Sequence, residues 1–207
     1  MDLVSIITVN FNQPMVTEAL LHSLLHVNNY KDIEIIVVDN GSKLNLIPKW
    51  TAQYPEIKFV RSEENLGFAG GNNLGIGHAS GRYLLFINND TEVTATAIER
   101  MVETMDEDPE IGILSPKIQY FDQPGMLQYA GYTQMNFYFA RNKCIGQFEK
   151  DVGQYDQYSG ETGFAHGAAM MVRTEAIQRA GLMAENYFLY YEELDWCERI
   201  RNSGFKV

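Results

Sequence analysis

The sequence predicts an α/β fold with a mostly parallel central sheet covered by helices on both faces, and three observations carry that prediction. Apolar, β-branched runs of strand length recur through the first half, over residues 4–9, 33–38 and 83–87. Segments with apolar residues at helical spacing separate them, the pattern of βαβ units. Each run then passes into small polar residues: Asn10 after the first, Asp39-Asn40-Gly41-Ser42 after the second, Asn88-Asn89-Asp90 after the third. Ligands of open α/β sheets settle beyond the carboxyl ends of the strands, so these tips mark one candidate site.

Local chemistry sets the elements in order. Pro14 occupies a first helical position, where its missing N–H costs nothing, and Val16, Ala19, Leu20, Leu24 and Val27 follow at helical spacing. Strand 33–38 closes the first βαβ unit. A short strand over 57–60 leads into Asn65-Leu66-Gly67-Phe68-Ala69-Gly70-Gly71-Asn72-Asn73-Leu74-Gly75-Ile76-Gly77, whose later part reads as a helix with one bare side. Glycine in a helix costs up to about 1 kcal/mol against alanine, so this run implies that something approaches the backbone closely. Strand 83–87 follows, then an amphipathic helix over 94–105 ending near Pro109, and a strand over 111–114 completes the alternating, parallel half. Between Tyr120 and Glu161 the helical period disappears, which predicts loops with short antiparallel strands. A strand over 168–172, a short helix over 173–180 and a last helix over 192–201, closed by Gly204, complete the pattern. Gly204-Phe205-Lys206-Val207 reads as the opening of another strand, so the expectation is a single domain over 1–207 that stops inside an element.

Composition narrows the function classes. A chain of 207 residues with 45% hydrophobic content can bury one full core. A net charge of −11 argues against a nucleic-acid partner, and an anionic ligand would need a metal ion or backbone amides to offset repulsion. Cys144 and Cys197 are the only cysteines and form no CxxC, which disfavours a disulfide framework or zinc site and favours a reducing compartment. The amino terminus enters a strand without a secretory signal pattern, and the apolar runs fall far short of the roughly 20 residues of a membrane span. A soluble, cytoplasmic protein is therefore expected. On that expectation, the sequons Asn40-Gly41-Ser42 and Asn89-Asp90-Thr91 read as site residues rather than glycosylation acceptors.

Several residues can carry chemistry. Asp90, flanked by the amides of Asn88 and Asn89, suits a divalent cation that neutralises a diphosphate, because Mg²⁺ and Mn²⁺ prefer oxygen ligands. The same three residues also suit a strand-ending turn. Asp39 can accept from a pyrimidine ring N–H, with Thr8 adding a hydroxyl, although Asn40-Gly41 is also an ordinary turn pair. The glycine-rich segment is neither a Walker A loop nor a GxGxxG fingerprint, yet its small residues would let a sugar or ribose lie on the backbone. Glu192, Glu193 and Asp195 open the last helix, where the helix dipole alone favours acids. The preceding aromatic residues, Tyr191 among them, add a stacking surface with an acid or base in reach. His166 and Gly167 are candidates for the mouth of the site. No Ser/His/Asp or Cys/His nucleophile arrangement stands out.

Together these residues resemble glycosyltransferase family 2, inverting nucleotide-sugar enzymes of GT-A architecture, and within it the rhamnosyltransferase-like branch. The motifs that carry the resemblance are Val4-Ser5-Ile6-Ile7-Thr8-Val9-Asn10-Phe11-Asn12, Ile35-Ile36-Val37-Val38-Asp39-Asn40-Gly41-Ser42, Glu64-Asn65-Leu66-Gly67-Phe68-Ala69-Gly70-Gly71-Asn72, Asn88-Asn89-Asp90 and Phe188-Leu189-Tyr190-Tyr191-Glu192-Glu193-Leu194-Asp195, in the family's order. The resemblance implies a nucleotide-binding half over about 1–115 and an acceptor-side half over about 116–207. It implies that Thr8, Val9, Asn10, Asp39, Asn40 and Ser42 hold the nucleoside, and that Asn65, Gly67, Phe68, Ala69 and Asn72 line the ribose and diphosphate. Asn88-Asn89-Asp90 takes the place of the metal-binding Asp-x-Asp, with Asp90 as the ligand for Mn²⁺ or Mg²⁺. The family's Glu-Asp pair becomes Glu192-Glu193, which places the general base on Glu193, with Glu192 and Asp195 as rivals. The implied partners are a UDP- or dTDP-sugar donor and a glycan or lipid-linked acceptor, handled at the inner face of the plasma membrane. A domain that binds nucleotide sugars without turnover is the alternative. A sugar-phosphate nucleotidyltransferase is less well matched, because Asn10-Phe11-Asn12-Gln13 is not a glycine- and arginine-rich loop.

Overall fold

A computed structural model describes residues 2–136, 138–139, 141–157 and 159–207. Along the chain run β1 (Val4–Asn10), α1 (Pro14–His26), β2 (Ile33–Asn40), α2 (Ile47–Gln53), β3 (Lys58–Ser62), α3 (Gly67–Ile76), β4 (Tyr83–Ile87) and α4 (Ala97–Glu107). There follow β5 (Ile113–Leu114), β6 (Ile118–Gln119), β7 (Leu127–Tyr129), β8 (Ala169–Arg173), α5 (Thr174–Ala180) and α6 (Glu192–Asn202). The central sheet has the order β3-β2-β1-β4-β8-β5. Its first four strands are parallel, and β8 pairs antiparallel with both β4 and β5.

Strand alternation sorts the core onto two faces. Val4, Ile6, Ile35, Val37, Leu85 and Met171 pack with Leu20, Leu21 and Leu24 of α1, Trp50 of α2 and Ile98, Met101 and Met105 of α4. Ile7, Ile36, Val38, Phe86, Met170 and Val172 pack on the other face with Ala69 of α3, Ile177 of α5 and Trp196, Cys197 and Ile200 of α6. The glycines of α3 serve this second layer. A Cβ on Gly75 would lie 2.5 Å from Ile7 Cγ2, and one on Gly71 would lie 3.0 Å from Val9 Cγ1. At these two positions, what approaches the bare helix side is the sheet.

Some expectations change. The strand expected over 111–114 shrinks to Ile113–Leu114 and is an edge strand pairing antiparallel with β8, so it does not extend the parallel half. β2 runs on to Asn40, which places Asp39 and Asn40 inside the strand rather than in a turn after it. Helix α2 has no counterpart in the sequence reading, since seven residues with Pro48 in the first turn show no period and only Trp50 is buried. The loop-rich stretch holds β7, which pairs antiparallel with β6 just before it, and antiparallel bridges Tyr132–Cys144 and Asn136–Arg141. Lys206 makes one parallel bridge to Ile111. Among the described residues no helix is long and apolar enough to cross a membrane.

Candidate functional site

The carboxyl ends of β1, β2 and β3 carry a polar row in register, because Asn10 pairs with Asp39 and Asp39 with Arg61. Asn10 Nδ2 donates to Asp39 Oδ1 at 3.0 Å and to Ser42 Oγ at 3.1 Å. The Arg61 guanidinium donates to Asp39 Oδ2, and its other arm to the Ser42 carbonyl at 2.8 Å. Asn10 Oδ1 in turn accepts from Thr17 Oγ1 of α1 at 3.0 Å. A carboxylate this deeply buried is tolerable only because both oxygens are held. Thr8 lies deeper in β1, fully buried, and its hydroxyl has no hydrogen-bond partner among the described residues.

Asn40 points to the opposite face and organises the entry to α3. Its side chain donates to Asn65 Oδ1 and to the Gly67 carbonyl, each at 3.0 Å, and accepts from Leu66 N–H at 3.0 Å. Gly67 has φ +71°, and a Cβ there would lie 2.3 Å from the Phe188 carbonyl oxygen. Only glycine fits, because the Phe188 segment docks here through a hydrogen bond from Phe68 N–H at 3.0 Å. The result is a cavity of about 280 Å³ lined by Val9, Phe11, Asn40, Asn65, Gly67, Phe68, Asn72, Asn88, Asn89, Asp90, Phe188 and Leu189. Ala69 is buried behind it in the core, and Asn72 Nδ2 caps the Phe68 carbonyl of its own helix at 3.0 Å. A larger hollow, about 380 Å³, lies among Gly81, Leu84, Thr174 and Ile177 and holds none of the candidate groups.

At the β4 tip, Asn88 N–H is held by the Ala168 carbonyl at 3.0 Å and Asn89 Nδ2 donates to Thr17 Oγ1 at 3.1 Å. Asp90 is exposed and has no hydrogen bond or ion pair among the described residues. No group of three His, Cys, Asp or Glu residues converges on a metal position among them. A lone, uncommitted carboxylate beside amide oxygens fits a cation that takes most of its remaining ligands from water and phosphate.

The acidic start of α6 separates into three environments. Asp195 is committed to Arg199, accepting from Nε at 2.8 Å. Glu192 is 2% exposed, and its Oε2 has no partner among the described residues. Glu193 lies against the backbone at Gly167, where a Cβ would come within 2.6 Å of its Oε1. Burial pushes the Glu193 carboxyl above the usual carboxylate range, and the Glu192 charge adds to the rise. Gly167 is the residue before Ala168, whose carbonyl holds Asn88, so Glu193 sits one loop away from the β4 tip. Burial also lowers the His166 pKa, and its Nδ1 accepts from Ala168 N–H at 3.1 Å. The His166 ring stacks on Tyr132, which stacks on Phe164 with centroids 4.0 Å apart. Tyr190 and Tyr191, both exposed, adopt left-handed φ values of 74° and 72° at the entry to α6.

This geometry coincides with a family assignment. The family model for glycosyl transferase family 2 matches residues 5–181. The chain belongs to glycosyl transferase family 2. It is 28% identical to a low-salt glycan biosynthesis hexosyltransferase of Haloferax volcanii, over all of this chain and 64% of that protein. It is 20% identical to an N-acetylglucosaminyl-diphospho-decaprenol L-rhamnosyltransferase of Mycobacterium tuberculosis, over 99% of this chain and 72% of the relative. In fold it is similar to a Pyrobaculum calidifontis mannosyltransferase solved with GDP-Man and Mn²⁺ (TM-score 0.71, 18% identity), covering 99% of this chain and 53% of that one. It also resembles S. aureus TarS in complex with UDP (TM-score 0.66, 16% identity), over 97% of this chain and 55% of the other. The GT-A architecture expected from the sequence is thus the architecture found. The family 2 chain spans 64% and 72% of the two curated relatives and about half of the two solved chains, the TarS one comprising residues 1–349 of that protein.

Two residues packed against the candidate groups escaped the sequence reading. Arg61 looked like the first residue of a loop, and only the β2–β3 register brings it to Asp39. Tyr132 lies in a stretch without period, and the one available signal was its aromatic character.

Proposed function

We propose that this chain is the donor-binding and catalytic part of an inverting, metal-dependent glycosyltransferase. It would move a sugar, rhamnose or another hexose, from a UDP- or dTDP-sugar to a hydroxyl of a glycan or lipid-linked acceptor. The observation that carries this reading is the placement of Asp90 on the cavity wall with Glu193 one short loop away, so that a diphosphate ligand and a base would flank one anomeric carbon. The nucleotides bound by the two structural neighbours, GDP-Man and UDP, support the donor class. The glycan and decaprenol terms in the names of the two relatives support a polysaccharide-building role on a glycan or lipid-linked acceptor.

In this reading Asn40, Asn65 and the Gly67–Phe68 turn hold the ribose side, with Phe188 and Leu189 excluding water. Asn10, Asp39 and Ser42 form the nucleoside end. Asp90, assisted by Asn88 and Asn89, would hold Mn²⁺ or Mg²⁺, which when bound neutralises charge on the departing diphosphate. Glu193 accepts the proton of the acceptor hydroxyl, whose oxygen attacks the anomeric carbon opposite the diphosphate and inverts it. A raised pKa suits this task, because a stronger base is better matched to a hydroxyl proton. His166, Gly167 and Tyr191 form the acceptor-side wall, and Asp195 holds Arg199, whose Nη1 donates to the Ala180 carbonyl at 2.8 Å and ties α6 to the end of α5.

The single carboxylate at the β4 tip favours one other reading, nucleotide-sugar binding without turnover. Product detection separates them on a panel of nucleotide sugars with a mixed glycan-lipid acceptor. Metal-dependent release of nucleoside diphosphate is expected. Binding without release would leave the binding module, and release of pyrophosphate from sugar phosphate and nucleoside triphosphate would indicate a nucleotidyltransferase.

A further inference from the structure

The row Asn10–Asp39–Arg61 carries a consequence for base selection. In an assignment by strand position alone, Asp39 is the group that meets the nucleobase. The packing argues otherwise: the Asp39 side chain is 2% exposed, whereas the Arg61 side chain that covers it is 22% exposed. Both Asp39 oxygens are already taken, one by Asn10 and one by Arg61. Arg61 in contrast uses one N–H on Asp39 and one on the Ser42 carbonyl, of the five that a guanidinium carries. Three donors on an immobilised, partly open group are left over, since no other hydrogen bond of the Arg61 side chain exists among the described residues.

Strand order puts this group at the right distance. From the β4 tip, where Asp90 stands, β1, β2 and β3 follow in sequence. At the usual spacing between neighbouring strands this is roughly 14 Å, a span that an extended nucleoside diphosphate can bridge. A diphosphate at β4 and a ribose beside Asn40 would carry the base edge toward β3. A buried carboxylate held from both sides is what fixes the guanidinium plane there.

We propose that Arg61 is the specificity-determining residue for the donor nucleobase, reading a ring carbonyl by donation, while Asp39 is its anchor. The proposal rests on the nucleotide-sugar reading of the site. A fixed, acceptor-less donor favours bases that present a carbonyl at this edge, namely uracil, thymine or guanine. It disfavours cytosine and adenine, whose amino groups would face the cation.

The test is calorimetric titration of UDP, dTDP, GDP, CDP and ADP, with Mn²⁺, on the wild type, Arg61→Lys and Arg61→Met. Removing the arginine leaves Asp39 buried and uncompensated, so Arg61→Met/Asp39→Asn is included to keep the variant folded. The readout is the ratio of keto-base to amino-base affinity within each protein, which a uniform structural loss does not move. The wild type is expected to prefer a keto base by about tenfold or more. Arg61→Met and the double variant should bring that ratio to within about twofold, and Arg61→Lys should recover part of it. An unchanged ratio in a variant that still binds, or a wild type that binds without preference, overturns the role of Arg61 alone. If the wild type binds no nucleotide at all, the nucleotide-sugar reading itself fails and the role of Arg61 falls with it.

Discussion

The proposed donor side and the proposed acceptor side of the candidate site meet at one cavity but are fixed by different means. On the donor side, Asn10, Asp39, Asn40, Arg61 and Asn88 stand at or just beyond the ends of parallel strands, so sheet register sets their spacing before any side chain acts. On the acceptor side, the segment before α6 is attached by polar stitches. Asn73 of α3 donates to the Met183 carbonyl and accepts from Met183 N–H, and Phe68 N–H takes the Phe188 carbonyl. The contrast teaches that one wall of a cavity can be built into a core while the other is attached to it by a few polar contacts. Changes on the acceptor side should therefore alter turnover and leave stability alone, and changes under the donor side should do the reverse.

The largest effect is expected at the base. Glu193→Gln should lower kcat by about 10²–10⁴-fold while nucleoside diphosphate affinity stays within twofold of wild type by titration. Equal loss of affinity would show that Glu193 belongs to the donor side instead. Gly167→Ala is subtler chemically, yet its new Cβ would displace the Glu193 carboxylate. A shift of this kind costs on the order of 10²-fold in rate, and the melting temperature should not change. Gly75→Ala sharpens the opposite arm, because its Cβ would enter Ile7 Cγ2 and destabilise the fold by about 1–3 kcal/mol. Denaturant unfolding measures that loss, and the rate per folded molecule should be close to wild type.

Two pH dependences extend the contrast. Because the Glu193 pKa is raised by burial and by Glu192, the acid limb of kcat should have its midpoint above the usual glutamate value of about 4.3. Glu34, on the donor side far from the tips, behaves in the other direction. Burial alone would raise its pKa, but hydrogen bonds from Lys58, Ser5 and Ser80 outweigh that and hold it at about 2. Its contribution is therefore complete above the unfolded value near 4.3 and is lost as pH falls toward 2. After allowance for its partial exposure it amounts to on the order of 1–2 kcal/mol. Glu34→Gln should flatten the acid slope of stability between these limits, measured by denaturant unfolding at stepped pH.

The same division explains what the sequence made legible. Strands with long β-branched runs and polar tips could be read directly, because burial on both faces and an abrupt change of polarity are one-dimensional signals. Asn88-Asn89-Asp90 and Asp39-Asn40 are legible as strand ends in this way. The Asp39–Arg61 pair could not be, since it depends on β2–β3 register. The glycines of α3 pointed correctly to a close approach, but periodicity cannot say whether a ligand or the sheet makes it, and at Gly71 and Gly75 it is the sheet. The edge strand β5 runs in the same direction as β1–β4, but it does not pair with them, because β8 comes from the far end of the chain and inserts antiparallel between β4 and β5, which no local pattern announces. Tyr132 and its stack with His166 and Phe164 arise from loop packing, which has no period at all.

The proposed function rests on Asp90 at the β4 tip, which would hold a divalent cation beside the diphosphate. Its most direct test is titration of a nucleoside diphosphate with and without Mn²⁺, on the wild type, Asp90→Ala and Glu193→Gln. Binding that requires Mn²⁺, disappears in Asp90→Ala and persists in Glu193→Gln is the predicted result. Binding that is indifferent to both Mn²⁺ and Asp90→Ala would contradict it.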